Sequence, residues 1–374
     1  MTTRFALLLL LLAAGTAWAA RVELVAGGGE DRTGIPAVRA ALREPFGAEF
    51  DAAGNLYAVE MAAGNRLLRI DARGVLTHVA GEGTAGDAGD GGPALTARFN
   101  GPHNLAVLPG GDVLIGDTWN GRVRRFHSKT ATVSTLPGFN APPPAARANG
   151  PYCIALSPDG TRLVISDLRR VQELELPTGR LRVVAGNGSK GVPTDGAVAT
   201  EAPLSDPRAA AYDRRGNLYI LERNGHALRV VGSDGRIRTV VNGSGAKGAT
   251  GDGGPAIAAT LNGPKHLCID RDNSVIIADA ENNMIRRYIP DTGRVERVAG
   301  TAQGVEHVFG ISPRYEDLSW QGLEFSRDQF DSVMSIDRSA WQAELQLHEQ
   351  LFEQLSYHLP QEDRKSTRLN SSHA

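Results

Sequence analysis

Between residues 45 and 300 the chain is written in short apolar runs separated by polar turns. The runs Leu56-Tyr57-Ala58-Val59, Val113-Leu114-Ile115, Leu163-Val164-Ile165, Leu218-Tyr219-Ile220-Leu221 and Val275-Ile276-Ile277 are nearly continuous. That pattern predicts strands buried on both faces. Before each comes a shorter run, such as Leu105-Ala106-Val107 or Leu267-Cys268-Ile269, ending in a turn like Asp51-Ala52-Ala53-Gly54-Asn55 or Ser157-Pro158-Asp159-Gly160. After each comes a run mixing Arg with apolar residues, as in Val123-Arg124-Arg125-Phe126 and Ile285-Arg286-Arg287-Tyr288. A last run then closes on Val183-Val184-Ala185-Gly186 or Val298-Ala299-Gly300.

This four-strand unit repeats. Aligned prolines at Pro45, Pro102, Pro151, Pro207 and Pro264 set a period of 49 to 57 residues. Gly89-Asp90-Gly91-Gly92-Pro93-Ala94 recurs as Gly251-Asp252-Gly253-Gly254-Pro255-Ala256. Four short antiparallel strands at such a period predict an all-β propeller rather than a sandwich, which needs no recurring punctuation. Five blades are visible. Val22-Glu23-Leu24-Val25-Ala26-Gly27 matches the fourth-strand segment Val295 to Gly300, an orphan that would complete a sixth blade whose other strands are missing. The ring is therefore expected to stay open, leaving exposed sheet that predicts poor solubility or protease sensitivity.

Composition agrees with many tight turns, at 44 Gly, 20 Pro and 6% aromatics. The ends differ from the middle. Arg4, the apolar run Ala6 to Ala14 and Ala17-Trp18-Ala19 predict a signal peptide over residues 1–19, too short to span a bilayer. A periplasmic or extracellular location follows, with no membrane attachment after cleavage. Cys153 and Cys268 fall in blades that are not neighbours, so no disulfide is expected. The formal net charge of −2 is uneven, because residues 305–362 hold eleven Asp and Glu against three Arg. The mild positive surplus left over the repeats does not predict a nucleic-acid partner.

The segments Asn217-Leu218-Tyr219-Ile220, Asp279-Ala280-Glu281-Asn282-Asn283-Met284-Ile285-Arg286-Arg287 and Gly251-Asp252-Gly253-Gly254-Pro255 resemble NHL repeats of secreted bacterial proteins. The resemblance covers residues 21–304 and implies a six-bladed NHL-type propeller, a family used mainly as binding modules, with a few lyase or hydrolase members. The third repeat departs from it, with Asp167-Leu168-Arg169-Arg170 lacking the Asn and Asp195-Gly196 standing where Gly-Asp-Gly-Gly-Pro is expected.

Beyond about Ala302 the period stops. Val305-Glu306-His307-Val308-Phe309-Gly310, Pro313-Arg314-Tyr315-Glu316-Asp317-Leu318 and Asp337-Arg338-Ser339-Ala340-Trp341-Gln342-Ala343-Glu344 resemble the C-terminal end of GTP-dependent phosphoenolpyruvate carboxykinase. That enzyme's nucleotide loop, metal ligands and substrate arginines have no counterpart here, so a fragment without carboxykinase activity is implied. Residues 363–374 resemble translated sequencing adaptor. The chain is thus expected to comprise a signal peptide (1–19), an incomplete propeller (20–304), a helical segment (305–362) and an artefactual or disordered tail (363–374), an assembly chimera. A genuine helical extension is the alternative.

Two residue sets are candidates for chemistry. Glu60, Asp117, Asp167, Glu222 and Asp279 close the second strand of each repeat, and such a ring of acids could hold Ca²⁺ or another divalent metal. The competing reading makes them turn-fixing groups paired with Arg66, Arg122, Arg229 and Arg286, and no cofactor is then needed. Phe46, His103, Asn104, Tyr152, Arg208, Lys265 and His266 follow the blade prolines and should line the channel mouth, the expected surface for a protein, peptide or carbohydrate ligand on the face of the glycine-rich loops. By blade count, His103 and His266 should face each other across the axis, leaving a lyase or hydrolase with a mouth-bound metal as the second reading. No Gly-x-Ser-x-Gly, His-Glu-x-x-His or cysteine-histidine pattern declares a catalyst, and the glycine-rich loops lack the Gly-Lys-Ser/Thr of a phosphate cradle.

Overall fold

Each predicted repeat folds as one antiparallel four-stranded sheet. The structure, a computed structural model, describes residues 24–29, 33–139, 150–300, 305–307, 310–312 and 326–334. Two units divide the chain, residues 1–302 and 303–374.

In the first unit the blades run in chain order from innermost to outermost strand. The inner strands are Pro45–Phe50, Asn104–Val107, Cys153–Leu156, Pro207–Tyr212 and His266–Ile269. Each pairs with the apolar second strand expected from the sequence, for example Ile154 with Ile165 and Leu267 with Ile277. The turns are those the sequence encodes. Asp51 Oδ1 accepts from the amides of Ala53 and Asn55 at 2.9 and 2.8 Å, and Asp213 does the same for Arg215 and Asn217 at 2.9 and 2.8 Å.

Consecutive inner strands pack side by side from the first blade to the fifth. Among the described residues no such packing joins the fifth blade back to the first. Apolar layers fill the spaces between blades: Val59, Leu67, Phe99, Leu105, Ile115 and Val133 form the layer of blades one and two, and Leu221, Leu228, Leu261, Leu267, Ile277 and Val295 that of blades four and five. Glycine permits the closest approach. A Cβ on Gly47 would lie 2.7 Å from the Asn104 Cα and 2.9 Å from the His103 carbonyl oxygen, so the first two inner strands meet backbone to backbone there.

The glycine-rich loops dock outward, onto the blade that follows them. Gly91 donates to the Val133 carbonyl at 2.7 Å and Ala94 to that of Ala131 at 2.7 Å, on the outermost strand of blade two; Gly253 and Ala256 bond Val295 and Gly293 of blade five at 2.7 and 2.8 Å. A loop that covers the open hydrogen-bonding edge of the next sheet satisfies backbone groups that would otherwise be free to pair with another chain. Gly89, Gly91, Gly251 and Gly253 take φ of +100°, +78°, +96° and +77°, which side chains disfavour.

Fully buried arginines lock the loops down. Arg124 Nη2 meets Asp90 Oδ1 at 2.8 Å, while its Nη1 donates to the Arg98 carbonyl at 3.2 Å and stands 3.6 Å from Asp117 Oδ2. Arg286 repeats the arrangement, with Asp252 at 2.7 Å, the Thr250 carbonyl at 2.9 Å and Asp279 at 3.5 Å. In blade four the divergent loop uses another bond: Asp195 Oδ1 accepts from the Thr239 amide at 2.7 Å and its hydroxyl at 2.9 Å.

Three sequence expectations change. Val22 and Glu23 lie outside the described residues, and Leu24–Ala26 form no strand, with Leu24 and Val25 68% and 53% exposed. The fourth-strand likeness persists only in the following turn, where Gly27 and Gly29 donate to Ala37 and Ala40 as Gly81 and Glu82 do to Ala94 and Ala97. Arg122, directly opposite Asp117, reaches Asp87 at 3.6 Å, and Arg124 stands 3.6 Å from the buried acid instead, although Arg66 at the same opposite position does meet Glu60. In the second unit, residues 305–307 and 310–312 are not helical: Val305–His307 and Gly310–Ser312 pair as antiparallel strands, with His307 opposite Gly310. Helix is described only at Arg327–Met334; residues 1–19, the rest of 305–362 and 363–374 lie outside the described residues.

Unpairing a buried guanidinium costs about 3–5 kcal/mol, whereas a half-exposed partner acid contributes less. Asp117→Ala is therefore expected to lower the denaturant midpoint markedly, and Asp90→Ala, at a carboxylate 42% exposed, much less. Equal losses from the two variants would show that Arg124 does not depend on the buried acid.

Candidate functional site

The five acids of the second strands do not converge on the axis to form a ligand cage. Each caps its own turn and holds the approach to its blade. Glu60 Oε1 accepts from the Arg43 amide at 2.6 Å, Asp117 from Asn100 at 2.7 Å, Glu222 from Ser205 at 2.6 Å and Asp279 from Asn262 at 2.8 Å, in every case the residue two before the blade proline. Arg66 and Arg229 meet Glu60 and Glu222 at 2.5 and 2.8 Å. Asp117 and Asp279 also accept from Asn120 and Asn282, both at 2.8 Å. Where Glu replaces Asp there is no room for that asparagine, and glycine follows instead: a Cβ on Gly64 or Gly225 would stand 2.4 Å from the carboxylate. Asp167, in the divergent repeat, accepts from Arg169 and Arg170 at 2.7 and 2.6 Å. Burial pushes Asp117 up to about 6 against its Asn120, Asn100 and Arg124 partners, and burial likewise raises Asp167, Glu222 and Asp279. Among the described residues no three His, Cys, Asp or Glu side chains are arranged for a metal.

The residues after the prolines separate into two levels. The first position of successive blades holds Phe46, His103, Tyr152, Arg208 and Lys265. Phe46 and His103 rings lie 4.9 Å apart, His103 and Tyr152 5.0 Å, and the Arg208 guanidinium sits 4.0 Å over the Tyr152 ring. The contacts thus pass unbroken from blade one to blade four. Lys265 pairs with Glu281 at 3.1 Å in blade five. Trp119, which sequence reading missed, adds a second ring edge 5.8 Å from His103 and is 42% exposed, like Phe46 at 41%. Its signal was positional: Trp119 aligns with Glu281 of the fifth repeat, and each lies over the left-handed glycine before the blade proline, Gly101 or Gly263.

The second position holds Gly47, Asn104, Cys153, Ala209 and His266. Asn104 is buried and its Oδ1 accepts from the Ile154 amide at 3.0 Å, so it ties two inner strands and does not present itself at the mouth. His266 lines an axial cavity, with Nδ1 3.9 Å from Cys153 Sγ. The expected pairing of His103 with His266 therefore fails, because alternate strand residues occupy different levels: His103 matches Lys265 and His266 matches Asn104. Both cysteines are free, Cys153 buried and Cys268 exposed. The glycine-rich loops, docked on the outer strands, do not frame the mouth.

Arg208 has no carboxylate partner at ion-pair distance among the described residues, and burial lowers its pKa. Burial also pushes His103 down to about 4, opposed by the bond from its Nδ1 to the Gly101 carbonyl at 2.7 Å and aided by the positive Arg208. The mouth is thus a neutral aromatic wall beside a cation that bonds Tyr152 and feels the charge of Asp206.

Comparison with known proteins follows this division. Residues 91–250 match the family described as Teneurin NHL domain, and residues 293–372 match the phosphoenolpyruvate carboxykinase C-terminal P-loop domain. Human teneurin-1 is 29% identical over 235 residues, 58% of this chain but 8% of that protein. The GTP-dependent phosphoenolpyruvate carboxykinase of Renibacterium salmoninarum is 31% identical over 71 residues, 19% of this chain and 12% of the enzyme. The chain thus spans a small fraction of the curated relatives it matches. Among solved structures, virginiamycin B lyase from Staphylococcus aureus aligns with TM-score 0.44 and 15% identity over 68% of this chain and 69% of that one.

The depressed His103 pKa makes a prediction with a definite sign. The unfolded chain takes up the proton first, so stability from neutral His103 is complete above about pH 6.5 and is lost as pH falls toward 4. Denaturant midpoints of His103→Phe should fall less steeply than those of the parent across that window, and equal slopes would show that the ring is not held neutral. The chain joins an NHL-type β-propeller, built of five blades, to a segment similar to the C-terminal domain of GTP-dependent phosphoenolpyruvate carboxykinase, two unrelated signatures in one polypeptide.

Proposed function

We propose that the propeller is an exported binding module that takes a protein, peptide or carbohydrate ligand at the channel mouth. One observation carries this reading: Phe46, His103, Tyr152 and Arg208, from four blades, touch in series, with Trp119 beside them and Arg208 lacking a carboxylate partner. Half-exposed aromatics next to a guanidinium are the features from which binding hot spots are made. The ligand matching this surface offers an apolar or sugar-ring face to Phe46 and Trp119 and a carboxylate to Arg208. Export rests on the signal-like residues 1–19.

The enzymatic alternative, a lyase or hydrolase using a channel-mouth histidine and a metal, was motivated by His103 and His266, which stand at different positions of their inner strands. For the C-terminal segment we propose no carboxykinase activity, since the similarity to that enzyme covers 12% of its length. GTP-dependent decarboxylation of oxaloacetate by the chain is expected to be absent, and detecting it would refute the fragment reading.

Screening the chain against peptide and glycan arrays should yield acidic ligands. Their affinity should drop roughly ten- to hundredfold on Phe46→Ala, Trp119→Ala or Arg208→Ala, corresponding to about 1–3 kcal/mol. The same ligands should be indifferent to Leu95→Ala and Val192→Ala, which are exposed on the interblade loops. Binding that follows the loop variants and ignores the mouth would relocate the site.

A further inference from the structure

Deeper along the inner strands lies a second feature, independent of the mouth. A cavity of about 370 Å³ is bounded by inner-strand residues of all five blades, among them Glu49, Asn104, Cys153, Ala211, His266 and Cys268. Its shape follows from the repeat. At the fourth residue after the blade proline, blades three to five carry Ala155, Ala211 and Cys268 on the cavity lining, and blade one carries Glu49. Small side chains leave the space, and one long acid borders it.

Glu49 is poorly satisfied there. Its carboxylate accepts one long bond, from the Val107 amide to Oε2 at 3.3 Å, and among the described residues it has no ion-pair partner. A carboxylate borne on a packed strand in the structural role of Asp117 or Glu222 would show two or more close donors, as those do. The other polar groups around the cavity are neutral or engaged. Burial lowers the pKa of His266, pushes Cys153 up to about 12 and raises Cys268, both thiols feeling the charge of Glu49 as well. Asn104 Oδ1 holds Ile154, and Arg214 donates to the carbonyls of Asp270 and Arg271. Arg208 of the mouth is felt weakly at Cys153.

This donor set selects a ligand class. Anions meet the Glu49 carboxylate, the lining cation Arg214 is exposed and turned to the Asp270 and Arg271 carbonyls, and no trio of metal-ligating side chains is present among the described residues. A purely apolar ligand would bury the carboxylate unpaired, at considerable cost. The volume stands at the low end of the roughly 300–1,000 Å³ of small-molecule sites. We propose that this chamber binds a compact organic amine, its ammonium paired with Glu49 and its hydrocarbon body against Ile154, Ala155, Ala211 and Leu267.

Burial pushes Glu49 up to about 7, against the Val107 bond. An ammonium ligand favours the ionised acid, so affinity should rise as pH climbs through that value, by up to about tenfold per unit below it. Burial disfavours the charged forms of His266 and of both thiols.

The test uses the full chain and three matched probes, benzylamine, benzyl alcohol and benzoate, followed by calorimetry at pH 6 and pH 8. Benzylamine should bind at least tenfold more tightly than benzyl alcohol, more tightly at pH 8 than at pH 6, and benzoate should not bind. The isosteric Glu49→Gln variant should lose at least tenfold in benzylamine affinity together with the pH dependence. Ala155→Leu should fill the cavity and abolish binding of amine and alcohol alike with Glu49 intact. Phe46→Ala should leave benzylamine affinity unchanged, so a failed chamber and a failed mouth give different results. Equal affinity for benzylamine and benzyl alcohol, retention of affinity in Glu49→Gln or Ala155→Leu, or loss in Phe46→Ala would each overturn the assignment.

Discussion

The buried guanidinium that the glycine-rich loops of blades two and five clasp is the interaction on which the order of those blades rests. Arg124 and Arg286 have no exposed surface, and each is bound on one side by the loop aspartate and loop carbonyls and on the other by the acid closing its own second strand. A cation taken so far from water is tolerable only when surrounded in this way. The same acid holds the amide two residues before the blade proline. One charge cluster therefore fixes the outer loop, the blade and the approach to the inner strand together, and so positions whatever the inner strand presents.

From that placement two sites arise on a single set of strands. Alternation along an inner strand sends successive side chains to different levels and faces. First positions build a mouth of aromatic edges ending in a cation-π contact. Fourth positions, reduced to alanine in blades three and four, leave a chamber with a single acid at its side. The mouth offers a cation to an acidic ligand, whereas the chamber offers a carboxylate to a basic one.

The far faces of the terminal blades tell a different story. Phe50 in blade one is 64% exposed, and Ile285 and Val298 in blade five are 37% and 36% exposed, whereas Val123 and Leu228, the equivalents of Ile285 in blades two and four, are fully buried. Apolar sheet faces of this kind are what a neighbouring blade covers elsewhere in the same unit. Beyond residue 300 the match is to a carboxykinase domain and the repeat does not return, so the family signatures change at the point where another blade would be needed.

Sequence alone determined the repeat, its strand runs, its turns and the role of the acids, because each depends on neighbours close in the chain or on the period itself. Asp51 to Asn55 folds a turn by bonds within five residues, and the Glu-with-Gly and Asp-with-Asn pairings lie within one turn. Which arginine meets Asp117 was settled only in the folded blade, since the arginine opposite the acid meets it in blade one and not in blade two, and blade counting could not supply it. The level at which His103 and His266 stand, the series of rings that gathers Trp119, and the isolation of Glu49 among alanines were decided only when five distant segments came side by side. Those contacts join residues tens to hundreds of positions apart, and their chemistry belongs to the space between blades, which no single repeat contains.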